Sequence, residues 1–117
     1  EDHARAIGMI LRAGKAGRTY AIGGENQWEN LGLVNLLCEK VALQTGRHRN
    51  ALKNLITFVE DRPGHDRRYA IDCARIKSEL GWRNQTDFSR GLDLTIRWYR
   101  DHPEWVHRVR KQYGARP

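Results

Sequence analysis

A chain of 117 residues has room for one core of the commonest domain size, about 100–150 residues, and not for a cofactor domain plus a substrate domain. Hydrophobic residues make up 39% and recur along the whole length, which excludes a disordered tail. No apolar run nears the ~20 residues of a membrane span, and no signal-type segment opens the sequence, so a single cytoplasmic domain over residues 1–117 is expected.

The net charge of +7 points to anionic partners: nucleic acid, nucleotides or phosphorylated metabolites. Charge alone does not choose among them. Cys38 and Cys73 each fall on the apolar side of an expected helix and read as two reduced core thiols.

In chain order, Ala4, Ile7, Ile10 and Leu11 recur at helical spacing, and Gly14 ends the run as a left-handed cap would. Arg18 to Ile22 reads as a short strand closed by Gly23-Gly24. Asn30 is placed to cap a second helix, with Val34, Leu37, Cys38 and Val41 on one face up to Gly46. The basic loop Arg47-His48-Arg49 leads to Leu55-Ile56-Thr57-Phe58-Val59, the clearest strand pattern, which Pro63-Gly64 stops.

The second half reads as more helical. Asp72 caps a short helix with Ile76 and Leu80, ended by Gly81. Thr86 caps a longer one with Phe88, Leu92, Ile96 and Tyr99 on a face. Pro103 opens a last helix through Trp105, Val106 and Val109. The expected class is α/β: a small, helix-rich domain with a few short strands.

Most catalytic signals fail on spacing. Five residues, not four, separate Gly8 from Gly14-Lys15, and Ala16 follows, so there is no phosphate-binding P-loop. No Gly-x-Gly-x-x-Gly occurs. Tyr20, Tyr69, Tyr99 and Tyr113 are followed four positions later by Gly24, Cys73, Pro103 and Pro117, so the Tyr-Lys pair of short-chain dehydrogenases is missing. His3, His48, His65, His102 and His107 show no ligand spacing, and no Cys-x-x-Cys is present. No catalytic, cofactor-binding or metal residue is assigned.

One constellation survives, Asp61-Arg62-Pro63-Gly64-His65-Asp66-Arg67-Arg68-Tyr69. A β-branched run leads into Arg62, and Pro-Gly then turns the chain sharply. Ligands of α/β proteins gather at such strand ends. Arg62 offers a planar fork for phosphate oxygens, His65 a second donor, and Asp66 a carboxylate to orient an arginine. The chemistry by itself leaves two readings open: an anion site, and a surface turn whose charges pair with one another.

The run from Ile56 to Asp72 closely resembles the C-terminal signature of dTDP-glucose 4,6-dehydratases, which are extended short-chain dehydrogenases. Glu1-Asp2-His3-Ala4-Arg5-Ala6 resembles the helix before the family's substrate domain, and Thr19 to Asn26 its strand and turn. Glu79-Leu80-Gly81-Trp82, Phe88-Ser89-Arg90-Gly91-Leu92 and Ile96-Arg97-Trp98-Tyr99 are similar to the family's ending.

The resemblance implies the C-terminal, nucleotide-sugar-binding domain of such an enzyme, without its Rossmann domain. Asn26, Asp61, Arg62, Pro63, Gly64 and His65 would line the nucleotide-sugar site, with Arg62 on the pyrophosphate. In the family NAD sits on the N-terminal domain, oxidises C4, and returns the hydride at C6 after water leaves across C5–C6. This chain carries no cofactor site of its own, and it is expected to be inactive alone.

Two departures stand out. Glu25 occupies the position before Asn26 where a small apolar residue or His is usual, and the loop from Gly46 to Lys53 is shorter and more basic. The implied partners are a dTDP-sugar, and a second copy or a separate Rossmann-domain chain to cover the matched helices. The alternative is a non-enzymatic interaction protein that uses Arg47-His48-Arg49 and Arg108-Val109-Arg110-Lys111 on nucleic acid or protein. No recognised nucleic-acid motif accompanies those clusters. Trp82, Trp98 and Trp105 are expected in the core or on a domain-facing surface, and Trp28 beside the Asn26 turn.

Overall fold

The computed structural model describes residues 1–114; the domain expected over 1–117 includes three residues outside that range. Six helices are present among the described residues: α1 (Asp2–Ala13), α2 (Asn30–Thr45), α3 (Arg49–Lys53), α4 (Ala74–Leu80), α5 (Phe88–Asp101) and α6 (Pro103–Tyr113). The contacts divide the chain into two compact units. One joins Glu1–Glu29 to Phe58–Phe88, the other Asn30–Thr57 to Ser89–Pro117.

No strand occurs among the described residues, which corrects the expected α/β class with a few short strands. A strand needs a neighbour to receive its N–H and C=O groups. The extended segment at Arg18–Ile22 meets side chains instead: Arg75 Nη1 donates to Thr19 O at 2.9 Å, and the Tyr20 hydroxyl donates to Glu79 at 2.9 Å. The β-branched run starts as the tail of α3, with Leu55 N–H on Leu52 O and Ile56 N–H on Lys53 O. Beyond it Phe58 and Val59 lie more than four-fifths exposed, so the alternation has no second layer to bury against.

The first unit is built on α1 and α4, which pack together. Ala6, Cys73, Ile76 and Trp82 form its buried cluster, with Met9, Ile10, Tyr20, Ile22 and Leu80 around it. The small side chain of Ala6 lets α4 approach, and both Ala6 and Ile76 are fully buried. Trp82 buries its ring while its indole N–H donates to Asp2 O at 3.1 Å, which satisfies the one polar atom that burial would strand.

The Asp2 carboxylate gathers the chain's return. It accepts from the backbone N–H groups of Gln85 and Thr86 and pairs with Arg5 at 2.9 Å. Those amides, Thr86 foremost, hold the Asp2 carboxyl below its ordinary range. Asp72 performs the expected task at α4, accepting from Ala74 N–H at 2.8 Å, although the helix begins one residue later. Gly14, by contrast, ends α1 in extended conformation, not left-handed.

The second unit contains α2, α3, nearly all of α5, and α6. Here α2 joins α5 by polar contacts. Lys40 is buried and pairs with Asp93 at 2.6 Å, while Gln44 Nε2 donates to both the backbone and the carboxylate of Asp93. Arg100 closes the set on Gln44 O at 2.7 Å. Of the basic stretch Arg47-His48-Arg49, the first two residues lie in the loop and Arg49 begins α3: the His48 ring caps it by accepting from Asn50 N–H, and Arg49 pairs with Glu39 on α2. Pro103 stands in the first turn of α6, as expected. Trp98 stacks on His102 at 4.5 Å and meets Trp105 edge-on at 5.1 Å, and this cluster is partly open to solvent.

Ile76→Ala should destabilise the first unit by about 3 kcal/mol, the usual cost of emptying a buried aliphatic site. Urea unfolding followed by Trp82 fluorescence measures it, and a loss under about 1 kcal/mol would mean that the cluster is not the core. Acid sensitivity follows from Asp2. Because its folded-state carboxyl lies below the ordinary 3.8, its contribution is present above that value and is lost as pH falls through the depressed one. Asp2→Asn should therefore flatten the fall of stability below pH 3.8; an unchanged acid profile would contradict the role.

Candidate functional site

The sequence Asp61-Arg62-Pro63-Gly64-His65 folds as a closed turn. His65 N–H donates to Arg62 O at 3.3 Å, Pro63 fills the second position with its fixed φ, and Gly64 takes φ 72° at the third. That residue order and sign are those of a type II turn, where a side chain at the third position would be strained.

Asp61 organises the turn from its start. Its Oδ1 accepts from Arg62 N–H at 2.9 Å and from His65 Nδ1 at 2.7 Å. The His65 bond, then the Arg62 amide, hold the Asp61 carboxyl below the usual carboxylate range. The orienting carboxylate of the turn is thus Asp61, acting on His65, where the sequence pointed to Asp66 acting on an arginine. With Nδ1 engaged, His65 has Nε2 left for a ligand.

Arg62 extends from this frame. It is exposed, and its guanidinium has no ion-pair partner among the described residues. A planar fork held on a rigid turn and facing water suits a phosphate or pyrophosphate.

Asn26 lies on a second turn of the same unit. Its Nδ2 donates back to Gly24 O at 2.7 Å, and Glu25 before it takes a left-handed φ of 54°. For a residue with a Cβ that conformation costs about 1–2 kcal/mol. Lys77 on α4 pairs with the Glu25 carboxylate. Gln27 Oε1 accepts from both Nε and Nη2 of Arg68, so the Asn26 turn is fastened to the segment that leaves the signature turn. No direct bond joins Asn26 to Asp61–His65 among the described contacts.

Gln27 and Lys77 escaped the sequence reading, and Arg68 stood in the signature run without a role of its own. Gln27 and Arg68 stand 41 positions apart, and no local spacing announces such a pair. Trp28 stacks on Phe88 at 5.4 Å, a packing contact. A shallow depression of about 180 Å³ lies beside the Asn26 turn, lined by Asp2, His3, Gly23, Gly24, Asn84 and Thr86 among others. Neither Asn26 nor Arg62 lines it.

A family model described as GDP-mannose 4,6 dehydratase matches residues 1–95. The chain is 44% identical over 110 residues to the dTDP-glucose 4,6-dehydratase of Salmonella typhimurium, covering 94% of this chain and 30% of that enzyme. It is 43% identical over 112 residues to the enzyme of the same name from Neisseria meningitidis, 93% of this chain and 32% of the relative.

Among solved structures, dTDP-glucose 4,6-dehydratase from Streptomyces venezuelae with NAD and TYD bound superposes with a TM-score of 0.77 at 38% identity, over 89% of this chain and 30% of that one. The Bacillus anthracis enzyme in complex with NAD gives 0.71 at 36% identity over the same shares. The chain spans about 30% of the length of these relatives. With its two turns set as described and the family model matched from residue 1 to 95, the chain belongs to the GDP-mannose 4,6-dehydratase family.

Proposed function

We propose that this chain is the nucleotide-sugar-binding, C-terminal-type portion of a dTDP-glucose 4,6-dehydratase, with Asn26 and the turn Asp61–His65 lining the site. One observation carries the reading: the turn fixes the backbone at Arg62 and leaves its guanidinium to solvent, in a segment whose relatives bear that enzyme name. Arg62 receives the pyrophosphate through charge-assisted bonds, His65 meets the same anion through Nε2, and Asn26 contributes amide hydrogen bonds. Pro63 and Gly64 set the geometry without touching the chemistry.

NAD does not fit the residues present. The 117 residues contain neither a Gly-x-Gly-x-x-Gly nor a Tyr with Lys four positions on, so no hydride step is assigned to this chain's own side chains. The exposed Leu11, Leu43, Leu55, Phe58 and Val59 favour a covering partner, either a second copy or a Rossmann-domain polypeptide. The two free cysteines suit a reducing, cytoplasmic setting.

The interaction-protein reading finds less support. Arg49 and His48 are spent on Glu39 and on the cap of α3, which leaves the α6 cluster as its main surface.

Purified residues 1–117, incubated with dTDP-glucose and NAD, should leave the sugar unchanged. Appearance of the 4-keto product would show chemistry that these residues are not credited with.

The ligand reading is tested by NMR titration with dTDP, for which an affinity near about 1 mM is expected. Arg62→Ala should weaken binding by about tenfold or more, the worth of a charge-assisted bond. Arg110→Ala with Lys111→Ala should not change it. If oligonucleotides shift the α6 resonances with a steep salt dependence while dTDP shifts none at Asn26 or Arg62–His65, the interaction-protein reading prevails.

A further inference from the structure

Beside the proposed anion site stands a negative charge that the site would not tolerate alone. Glu25 precedes Asn26 directly, and it is the one non-glycine residue with positive φ among the described residues. Its carboxylate pairs with Lys77, whose side chain is 21% exposed against 51% for Glu25. The cation is therefore the better anchored partner. It projects from α4 next to Ile76, the fully buried residue of the core cluster, so its Cα is fixed by packing.

The rest of the turn is tied from either side. Asn26 folds back on Gly24 O, and Gln27 is held by Arg68. Glu25 is the residue spanned by the Asn26–Gly24 bond, and Lys77 is the group that pairs with its side chain.

Resting on the nucleotide-sugar reading above, we propose that Lys77 is a positioning residue. It holds Glu25 in its left-handed conformation and cancels its charge, so that the Gly24–Gln27 turn presents Asn26 to an anionic ligand. Without Lys77, an unpaired carboxylate would sit one residue from Asn26 and repel the diphosphate. The backbone of Glu25 would also lose the contact that keeps it left-handed. Because the pair is partly exposed it adds little to global stability; its effect is local, on the turn and on the charge that a ligand meets.

The test compares the whole chain with K77M and with the double variant K77M/E25N, titrated with dTDP at low and high salt. In K77M the dissociation constant should rise about three- to tenfold at low ionic strength, and the difference should shrink as salt screens the exposed carboxylate. E25N removes the charge and tolerates left-handed backbone, so the double variant should return to wild-type affinity.

A ligand-free readout accompanies the titration. The Asn26 side-chain amide and the Glu25 backbone signals should shift in K77M and recover in the double variant, while the Trp82 indole N–H stays in place as a marker of the intact core. Unchanged affinity and unchanged Asn26 signals in K77M would overturn the proposal, as would failure of E25N to restore affinity with Trp82 undisturbed. If the wild type itself does not bind dTDP, the nucleotide-sugar reading fails and takes the ligand clause with it. The ligand-free signals then still decide whether Lys77 holds the turn.

Discussion

Gly23 comes so close to Ile71 that a Cβ at position 23 would lie 3.0 Å from Ile71 Cβ and 3.2 Å from its Cγ2. Both neighbours of this contact are fixed. Ile22 packs on the core cluster, and the buried Cys73 thiol reaches Gly23 O at 3.4 Å. The absent side chain thus lets two distant stretches of backbone lie together. Gly24–Gln27 leaves on one side of the contact and Arg68–Ile71 enters on the other, so the Gln27–Arg68 fork becomes possible. A methyl group there meets a β-branched side chain stiff at χ1, and Ile71 would have to give by a few tenths of an ångström to admit it.

The two units are stabilised by different chemistry. The first has a compact apolar cluster with most of its polar edge paired: the Trp82 indole on Asp2 O and the Asp2 carboxylate on two backbone amides, while Arg5 Nε is buried without a partner. Among the described residues the second buries Leu52, Ile96 and Lys40, none of them completely, and it carries the Lys40–Asp93–Gln44 network. Only the Lys40 end of this pair is buried, the Asp93 side chain being 41% exposed, so removing Asp93 strands a buried charge while removing Lys40 leaves a carboxylate that water can reach. Asp93 is accordingly held below the ordinary carboxylate range, first by the Lys40 bond. Such an arrangement fixes the register of α2 on α5 more than it strengthens the fold.

The helices were legible because each writes its signal within a few residues: apolar spacing from Ala4 to Leu11, Asp72 before α4, Pro103 at the start of α6; the face of α1 was not, since Ala4, Ile7 and Leu11 lie exposed and Ala6 is the buried residue. The strands were misread because a β-branched run states only what a backbone prefers, not whether a neighbour exists to pair with it. Leu55 and Ile56 turn with α3, and Phe58 and Val59 run exposed. The five-residue α3 was hidden by its basic composition, which read as a solvated loop. In the site, the turn from Asp61 to His65 was readable since Pro63 and Gly64 encode it locally. The long-range pairs, Gln27 with Arg68 and Glu25 with Lys77, leave no trace at any fixed spacing.

That difference explains why the signature turn forms without the expected strands. The signature turn closes on itself through His65 N–H and Arg62 O and is braced by the Asp61 carboxylate, so no ladder is needed to shape it. The Asn26 turn cannot close in this way. Its left-handed residue bears a side chain, and a conformation that glycine adopts freely must here be secured from outside. The two turns thus answer the same backbone demand by opposite means, one by omitting a Cβ at Gly64, the other by tethering a charged side chain to a helix. The first would keep its form in almost any surroundings. The second is tied to α4 by the Glu25–Lys77 pair, and α4 is itself seated in the core by Ile76, so this turn is anchored by packing that lies outside it.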